Sequence, residues 1–443
     1  MPGLIETVHQ VLDRRLVRQT DQPLALALSG GGDSVALALM AQAWADARGR
    51  RLLCLTVDHG LNPASPGWTE TCRQLAAHLG ADFQALTWTG TKPSQGLPAA
   101  ARRARHVLLA EAARRAGASV ILMGHTASDL TESAIMRQAG SSIPDVREWA
   151  PSPVWPEGRG VFLLRPMLSL TRSELRTWLG ARVASWIEDP ANEDPRFARS
   201  RARLGAASKA RPAPTVPRDV PRALALGVSE DCGLTLPRRT LIEAEQPAAL
   251  ALVGMACVCV GGGDRLPHYE RLQGLTAALY RDRAVSRTLA GAQVLADQDT
   301  IRWVRPAGEI RRSGTPDLHL APGEVGIWDG RFEIRARTCA WVSALEGHRG
   351  DISKAMRAQL RSVPVPARSA LPWVSGPPGS DAIPEVEITS LVLKRFQAAA
   401  GLITCEPSGL QDVVYALNDR ISESEPQQIC VSGPPNLGQI ALG

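Results

Sequence analysis

The stretch Leu24 to Leu39, reading LALALSGGGDSVALAL, constrains this chain more than any other. An apolar run, Leu24 to Leu28, breaks into Ser29-Gly30-Gly31-Gly32-Asp33-Ser34 and resumes at once as Val35 to Leu39. The first run suits a buried parallel strand and the last an apolar helix. Between them, glycines let the backbone turn tightly and approach a ligand with no Cβ in the way. The helix start presents unpaired N–H groups and the positive end of a dipole, which together favour an anion. Ser29 and Ser34 add hydroxyl donors. Strand, glycine loop and helix together form a phosphate cradle.

The next segments keep the same alternation. Leu52 to Val57 reads as a buried strand, Trp68 to Leu79 as a helix, Phe83 to Trp88 as a strand, and Pro98 to Ala116 as a helix ended by Gly117. Val120 to Met123 is a further strand and Ser128 to Gln138 a further helix. Short links between alternating strands and helices predict an α/β fold, a doubly wound parallel sheet with ligands at the carboxyl ends of its strands. Thr171-Arg172-Ser173-Glu174 fits a capping box that opens another helix.

A chain of 443 residues exceeds one ordinary core. Residues 1–210 are expected to form the nucleotide domain. Residues 211–222, with Pro212, Pro214, Pro217 and Pro221, read as a semi-rigid linker. A helical and then strand-containing domain is expected over 223–335, and a smaller mixed or β region, partly flexible, over 336–443. The eight cysteines are dispersed and none forms Cys-x-x-Cys, so neither a zinc ribbon nor an iron–sulfur site is indicated. No stretch reaches the length of a membrane span and no signal-peptide core is present, so a cytoplasmic protein with reduced thiols is expected. The net charge of +6 permits a polyanionic partner without demanding one. Basic residues crowd Arg196 to Arg222, including Arg199, Arg201 and Arg203, against the single acid Asp219. Such a run is more often a solvated face than a binding site, yet clustering is the electrostatic footprint expected for nucleic acid.

Three more segments fall at predicted strand or helix ends. Asp58-His59 follows the second strand and offers polar contacts to a base or ribose, or a plain turn with a surface histidine. Arg102 and Arg105, three apart on one helical face, suit either a phosphate or solvent. His125 precedes Asp129 and Glu132, which share a helical face and can hold Mg²⁺, recruit an ammonium group, or simply favour the helix dipole.

Ser-Gly-Gly-x-Asp-Ser resembles the pyrophosphate loop of the N-type ATP pyrophosphatases (the PP-loop, Rossmann-like superfamily). Taken in order, that loop, Asp58-His59-Gly60-Leu61, the Ala101-Arg102 to Arg105 helix, Gly124-His125 with Asp129 and Glu132, Arg165-Pro166-Met167-Leu168 with Arg172-Ser173-Glu174-Leu175, and Trp186 to Asn192 resemble the tRNA(Ile)-lysidine synthetase family. The likeness is firm over about residues 20–205 and looser beyond. It implies a ligase that joins L-lysine to C2 of the wobble cytidine of tRNA(Ile) with a CAU anticodon, using ATP and Mg²⁺ through an adenylated base. It implies that Ser29, Gly30, Gly31, Gly32, Asp33, Ser34, Asp58 and His59 bind ATP, that Asp33 meets Mg²⁺, and that Asp33, Arg105, His125 and Asp129 are catalytic. By the same resemblance Asp129 and Glu132 hold lysine, and Arg199, Arg201 and Arg203 hold tRNA. Thr126, Ser128 and Leu130 depart from the usual Gly-His-His-x-Asp-Asp-Gln, and the lost carboxylate at Ser128 bears on metal or lysine binding. The alternatives are another PP-loop tRNA-modifying enzyme and a tRNA-binding homologue with weakened catalysis. The oligomeric state is left open, a dimer included.

Overall fold

The computed structural model describes residues 3–138, 146–182, 185–188, 227–228, 232–348, 350–379 and 383–407. These fall into two compact units, one holding the residues up to 188 together with 403–407, the other holding 227–402. The proline-rich segment 211–222, the basic run with Arg199, Arg201 and Arg203, and residues from 408 onward lie outside the described residues.

In the first unit the elements are α1 (Leu4–Arg15), β1 (Leu24–Ala27), α2 (Gly32–Asp46), β2 (Leu52–Asp58), α3 (Ser65–His78), β3 (Asp82–Thr87), α4 (Leu97–Arg115), β4 (Val120–Leu122), α5 (Ala127–Gln138), β5 (Trp149–Pro151), β6 (Phe162–Leu164) and α6 (Arg172–Gly180). The sheet order is β3-β2-β1-β4-β6-β5. Every pair is parallel except β5 with β6. The chain therefore reverses its direction of winding between β1 and β4, which are hydrogen-bonded neighbours. In open α/β sheets the crevice outside the strand ends at such a reversal is where ligands bind.

Strand alternation explains why both sheet faces are covered. Leu24, Leu26, Cys54, Leu122 and Leu164 point to a core shared with α1, α2, α3 and α6. Ala25, Leu53, Leu55, Ile121 and Leu163 point the other way, against Leu109, Ala112 and Ala113 of α4. The α2 segment is apolar nearly all round, and it is buried accordingly from Ser34 to Ala38 and at Met40, Ala41, Trp44 and Ala45. The capping box forms as expected: the Thr171 N–H donates to Glu174 Oε2 at 2.7 Å, and the Glu174 N–H to Thr171 Oγ1 at 3.3 Å.

The second unit carries a five-stranded antiparallel sheet in the order Gly227–Val228, Leu234–Pro237, Thr300–Val304, Ala292–Ala296, Val285–Leu289. Helices Gln246–Gly261 and Tyr269–Arg281 pack on it. Two three-stranded antiparallel sheets follow, built from strands between Leu318 and Ser390. The Gly261-Gly262-Gly263-Asp264 stretch is a helix end, with Gly262 in the left-handed conformation at φ 72°. A cavity of about 500 Å³ lies beside it. The Arg305 guanidinium on its wall is already engaged by Asp329, the Gly291 carbonyl and Ser313.

Candidate active site

The glycine loop stands at the carboxyl end of β1, at the winding reversal. Gly30 has φ 80°, a conformation that disfavours any Cβ. Ser34 closes the loop: its hydroxyl donates to the Gly31 carbonyl at 2.8 Å, lies 3.1 Å from Ser29 Oγ, and accepts from the Ser29 N–H at 3.3 Å. Gly31 caps α2, so the first N–H groups of a buried helix open toward the loop. Just past the neighbouring strand β4, Gly124 comes so close that a Cβ there would lie 3.2 Å from the Ser34 nitrogen. A larger residue would push β4 away from the cradle.

On one side of the loop is an acid cluster. Asp33 sits in the first turn of α2, and Asp129 and Glu132 are buried on α5. Asp129 Oδ2 accepts from the Thr126 N–H at 2.8 Å and from Thr126 Oγ1 at 2.9 Å, so Thr126 orients this carboxylate. Sequence reading missed the group that joins the acids. Arg172, at the start of α6, donates from Nε to Asp33 Oδ2 at 3.1 Å and from Nη1 to Glu132 Oε1 at 3.0 Å, with Nη2 3.5 Å from Asp129 Oδ1. Burial raises the Asp33 carboxyl above the usual carboxylate range, against the lowering pull of Arg172. Burial would lower the Arg172 pKa, but Asp129, Asp33 and Glu132 more than offset it and raise it overall. Ser128 accepts a 3.3 Å hydrogen bond from the Arg172 N–H, so its hydroxyl holds the start of α6.

The site also holds a basic group. Arg165 is buried, and its pKa is pushed down to about 10 by that burial and then by Arg102 and Arg105. It donates from Nε to His125 Nδ1 at 3.2 Å, which requires His125 to carry its own proton on Nε2. His106, buried on α4, is pushed down to about 3 by burial and then by the charges of Arg105, Arg102 and Arg165. Arg105 also acts on His59, whose pKa is lowered first by burial and then by that charge. The expected Arg105, His125 and His59 thus share one electrostatic neighbourhood. His59 stands edge-on to Trp88, with centroids 6.0 Å apart, and Lys92 lies 4.1 Å above the Trp88 ring. Asp58 Oδ1 accepts from the Gly60 N–H at 2.7 Å and closes its own turn.

A second group outside the expected set crosses the loop. The Ile187 N–H donates to the Gly30 carbonyl at 2.9 Å, and Trp186 reaches to 3.5 Å from where a Cβ on Gly32 would stand. Both lie in the Trp186 to Asn192 motif, of which residues 189–192 fall outside the described residues. Among the described residues no group of three or more His, Cys, Asp or Glu side chains is arranged to hold a metal unaided. Asp33 beside the cradle suits an ion that arrives with phosphate oxygens as its other ligands, the usual arrangement for Mg²⁺. No helix of the described residues is long and apolar enough to cross a membrane.

A mostly parallel sheet with its glycine cradle at the winding reversal defines an ATP-using PP-loop enzyme, and the family model described as "PP-loop domain" matches residues 4–207. The chain is 44% identical over 416 residues to the tRNA(Ile)-lysidine synthase of Caulobacter vibrioides (strain ATCC 19089), covering 91% of this chain and 99% of that one. It is 35% identical to the protein of that name from Rhizobium meliloti (strain 1021), covering 74% of this chain and 77% of that one. The same name is carried by a Mesorhizobium japonicum protein, 35% identical over 70% of this chain and 71% of its own length. The chain belongs to the tRNA(Ile)-lysidine synthase family.

Proposed function

We infer that this chain is the ATP-dependent ligase that makes lysidine in tRNA(Ile), acting in the cytoplasm, where its tRNA is found. The observation that carries the reading is the meeting of a phosphate cradle and a buried acid cluster at one strand-end crevice. It does so in a chain that matches a curated lysidine synthase over 99% of that protein's length.

ATP lies along Ser29 to Ser34, with its phosphates on the helix N-terminus and Asp58 and His59 beside the nucleoside. The target cytidine O2 attacks the α-phosphate and pyrophosphate leaves, giving an adenylated base. The lysine ε-amine then attacks C2 and AMP departs. Preorganised N–H donors and Arg105 offset phosphate charge, so the protein contributes mainly positioning and electrostatics. Asp33 would hold Mg²⁺ together with the phosphates, and the ion would supply further charge neutralisation there. His125, fixed by Arg165, stands at the same strand end. Asp129 and Glu132 hold a lysine ammonium by charge-assisted hydrogen bonds. Arg199, Arg201 and Arg203 meet tRNA phosphates.

Pyrophosphate release that requires tRNA(Ile), ATP and lysine together tests the reaction. Glu132→Gln tests the lysine site. Losing one charged contact costs about 1.5–3 kcal/mol, or roughly 10- to 150-fold in the apparent KM for lysine, with little change for ATP. A change confined to the Mg²⁺ requirement would make the pair a metal site instead.

A further inference from the structure

Arg172 is the first residue of α6, fixed there by the Thr171–Glu174 capping box and by the bond from its own N–H to Ser128. Its backbone is therefore held, while its side chain extends to three carboxylates, each facing a different guanidinium nitrogen. One of them, Asp33, belongs to the start of the helix that receives phosphates. The other two, Asp129 and Glu132, form the acid pair on α5. One cation thus spans the nucleotide side and the amino-acid side of the site.

We propose that Arg172 is a positioning residue that couples the two sides, pairing with Asp129 and Glu132 until nucleotide phosphates draw its guanidinium away and open those carboxylates to the substrate ammonium. The proposal rests on the reading of Asp129 and Glu132 as the lysine site.

The argument is one of competing charges. Glu132 is 1% exposed and Asp129 5%, so few solvent molecules share their charge. An ammonium entering between them needs the oxygens that Arg172 now occupies, and two cations at hydrogen-bond range in a poorly screened site repel each other. Phosphate competes well for the displaced group, because a guanidinium fork matches phosphate oxygens. The move is short: Nε already lies 3.1 Å from Asp33, two residues beyond the Gly31 cap of α2. By linkage, whatever ATP does to lysine affinity, lysine does equally to ATP affinity.

The test is calorimetric titration of L-lysine into the full chain without tRNA, with and without α,β-methylene-ATP and Mg²⁺. In the wild type the analogue should tighten lysine binding by about 5- to 150-fold, the ordinary span of coupled sites. In Arg172→Met that factor should collapse to roughly twofold or less, and Arg172→Lys should restore part of it. A residue with only a structural role would weaken binding in both titrations and leave their ratio alone. If the methionine variant does not fold, the lysine variant decides, since a point charge cannot fork to three acids: its factor must fall below that of the wild type. An unchanged factor in the variants, or a wild type whose lysine affinity ignores the analogue, overturns the coupling and leaves the lysine site standing. A wild type that binds no lysine in either titration overturns the lysine reading itself and the proposal with it.

Discussion

Glu406 offers the most quantitative check on how the first unit is held together. After the second unit the chain returns, and Glu406 enters the first with 1% of its side chain exposed. Its carboxylate takes both arms of the Arg50 guanidinium, at 2.8 and 2.6 Å, together with the Val17 N–H at 3.0 Å and the Ser119 hydroxyl at 3.1 Å. The Glu406 N–H donates to the Arg15 carbonyl at 2.7 Å, and Trp149 Nε1 to the Ile403 carbonyl at 2.8 Å. Glu406→Ala leaves Arg50, 2% exposed, without its counter-charge. Breaking such a pair from one side costs about 3–5 kcal/mol. With a urea slope of about 2–3 kcal/mol per molar, the unfolding midpoint of this unit should fall by roughly 1–2.5 M. Hydrogen exchange should accelerate at Val17 and at 403–407, while the strands β1 and β4 keep their protection until global unfolding. The double variant Glu406→Ala with Arg50→Met should recover part of the loss, because no buried charge is then stranded. A midpoint shift under 0.5 M, or a double variant worse than the sum of its parts, would refute the reasoning.

Gly30→Ala should reduce ATP affinity severely and destabilise the loop. The left-handed backbone costs about 1–2 kcal/mol, and the new Cβ would meet Ile187 Cδ1 at 2.3 Å, so nucleotide titration should show the loss even if the variant folds. Neutralising Arg199, Arg201 and Arg203 together should weaken tRNA binding and flatten its log–log salt dependence by about one unit per lost phosphate contact; an unchanged slope would assign the run to solvent. His106 sets an acid limit. Its folded pKa of about 3 lies below the ordinary histidine value of 6.5, so the unfolded chain binds the extra proton as pH falls, and stability declines from near pH 6.5 down to about 3. In His106→Gln the stability loss across that window should be shallower, by up to about 1.4 kcal/mol per pH unit in urea midpoints compared between pH 6 and pH 4.

The sequence alone determined the elements whose signals are local. Leu24 to Leu39 contains a buried strand, a glycine turn and an apolar helix within one stretch, and period and turn chemistry suffice to read them. The alternation up to Gln138 and the capping box at Thr171 were legible for the same reason. Asp33, Asp129 and Glu132 stood out as candidates because the family motif carries them in order, and the fold gathers them around one arginine. What joins them was not legible. Arg172 meets Asp33 across 139 positions and Glu132 across 40. In the sequence it appears as the first residue of a well-capped helix and as part of the Arg172-Ser173-Glu174-Leu175 motif, and neither tells that its side chain meets three carboxylates. The edge pair β5 and β6, three residues each, is too short to show a period. Glu406 finds Arg50 across 356 positions. Such contacts leave no local trace, because they arise when packing brings distant segments together and a buried charge must then find a partner. The cradle was therefore written in consecutive residues, whereas the charge balance around it was decided only by the tertiary fold.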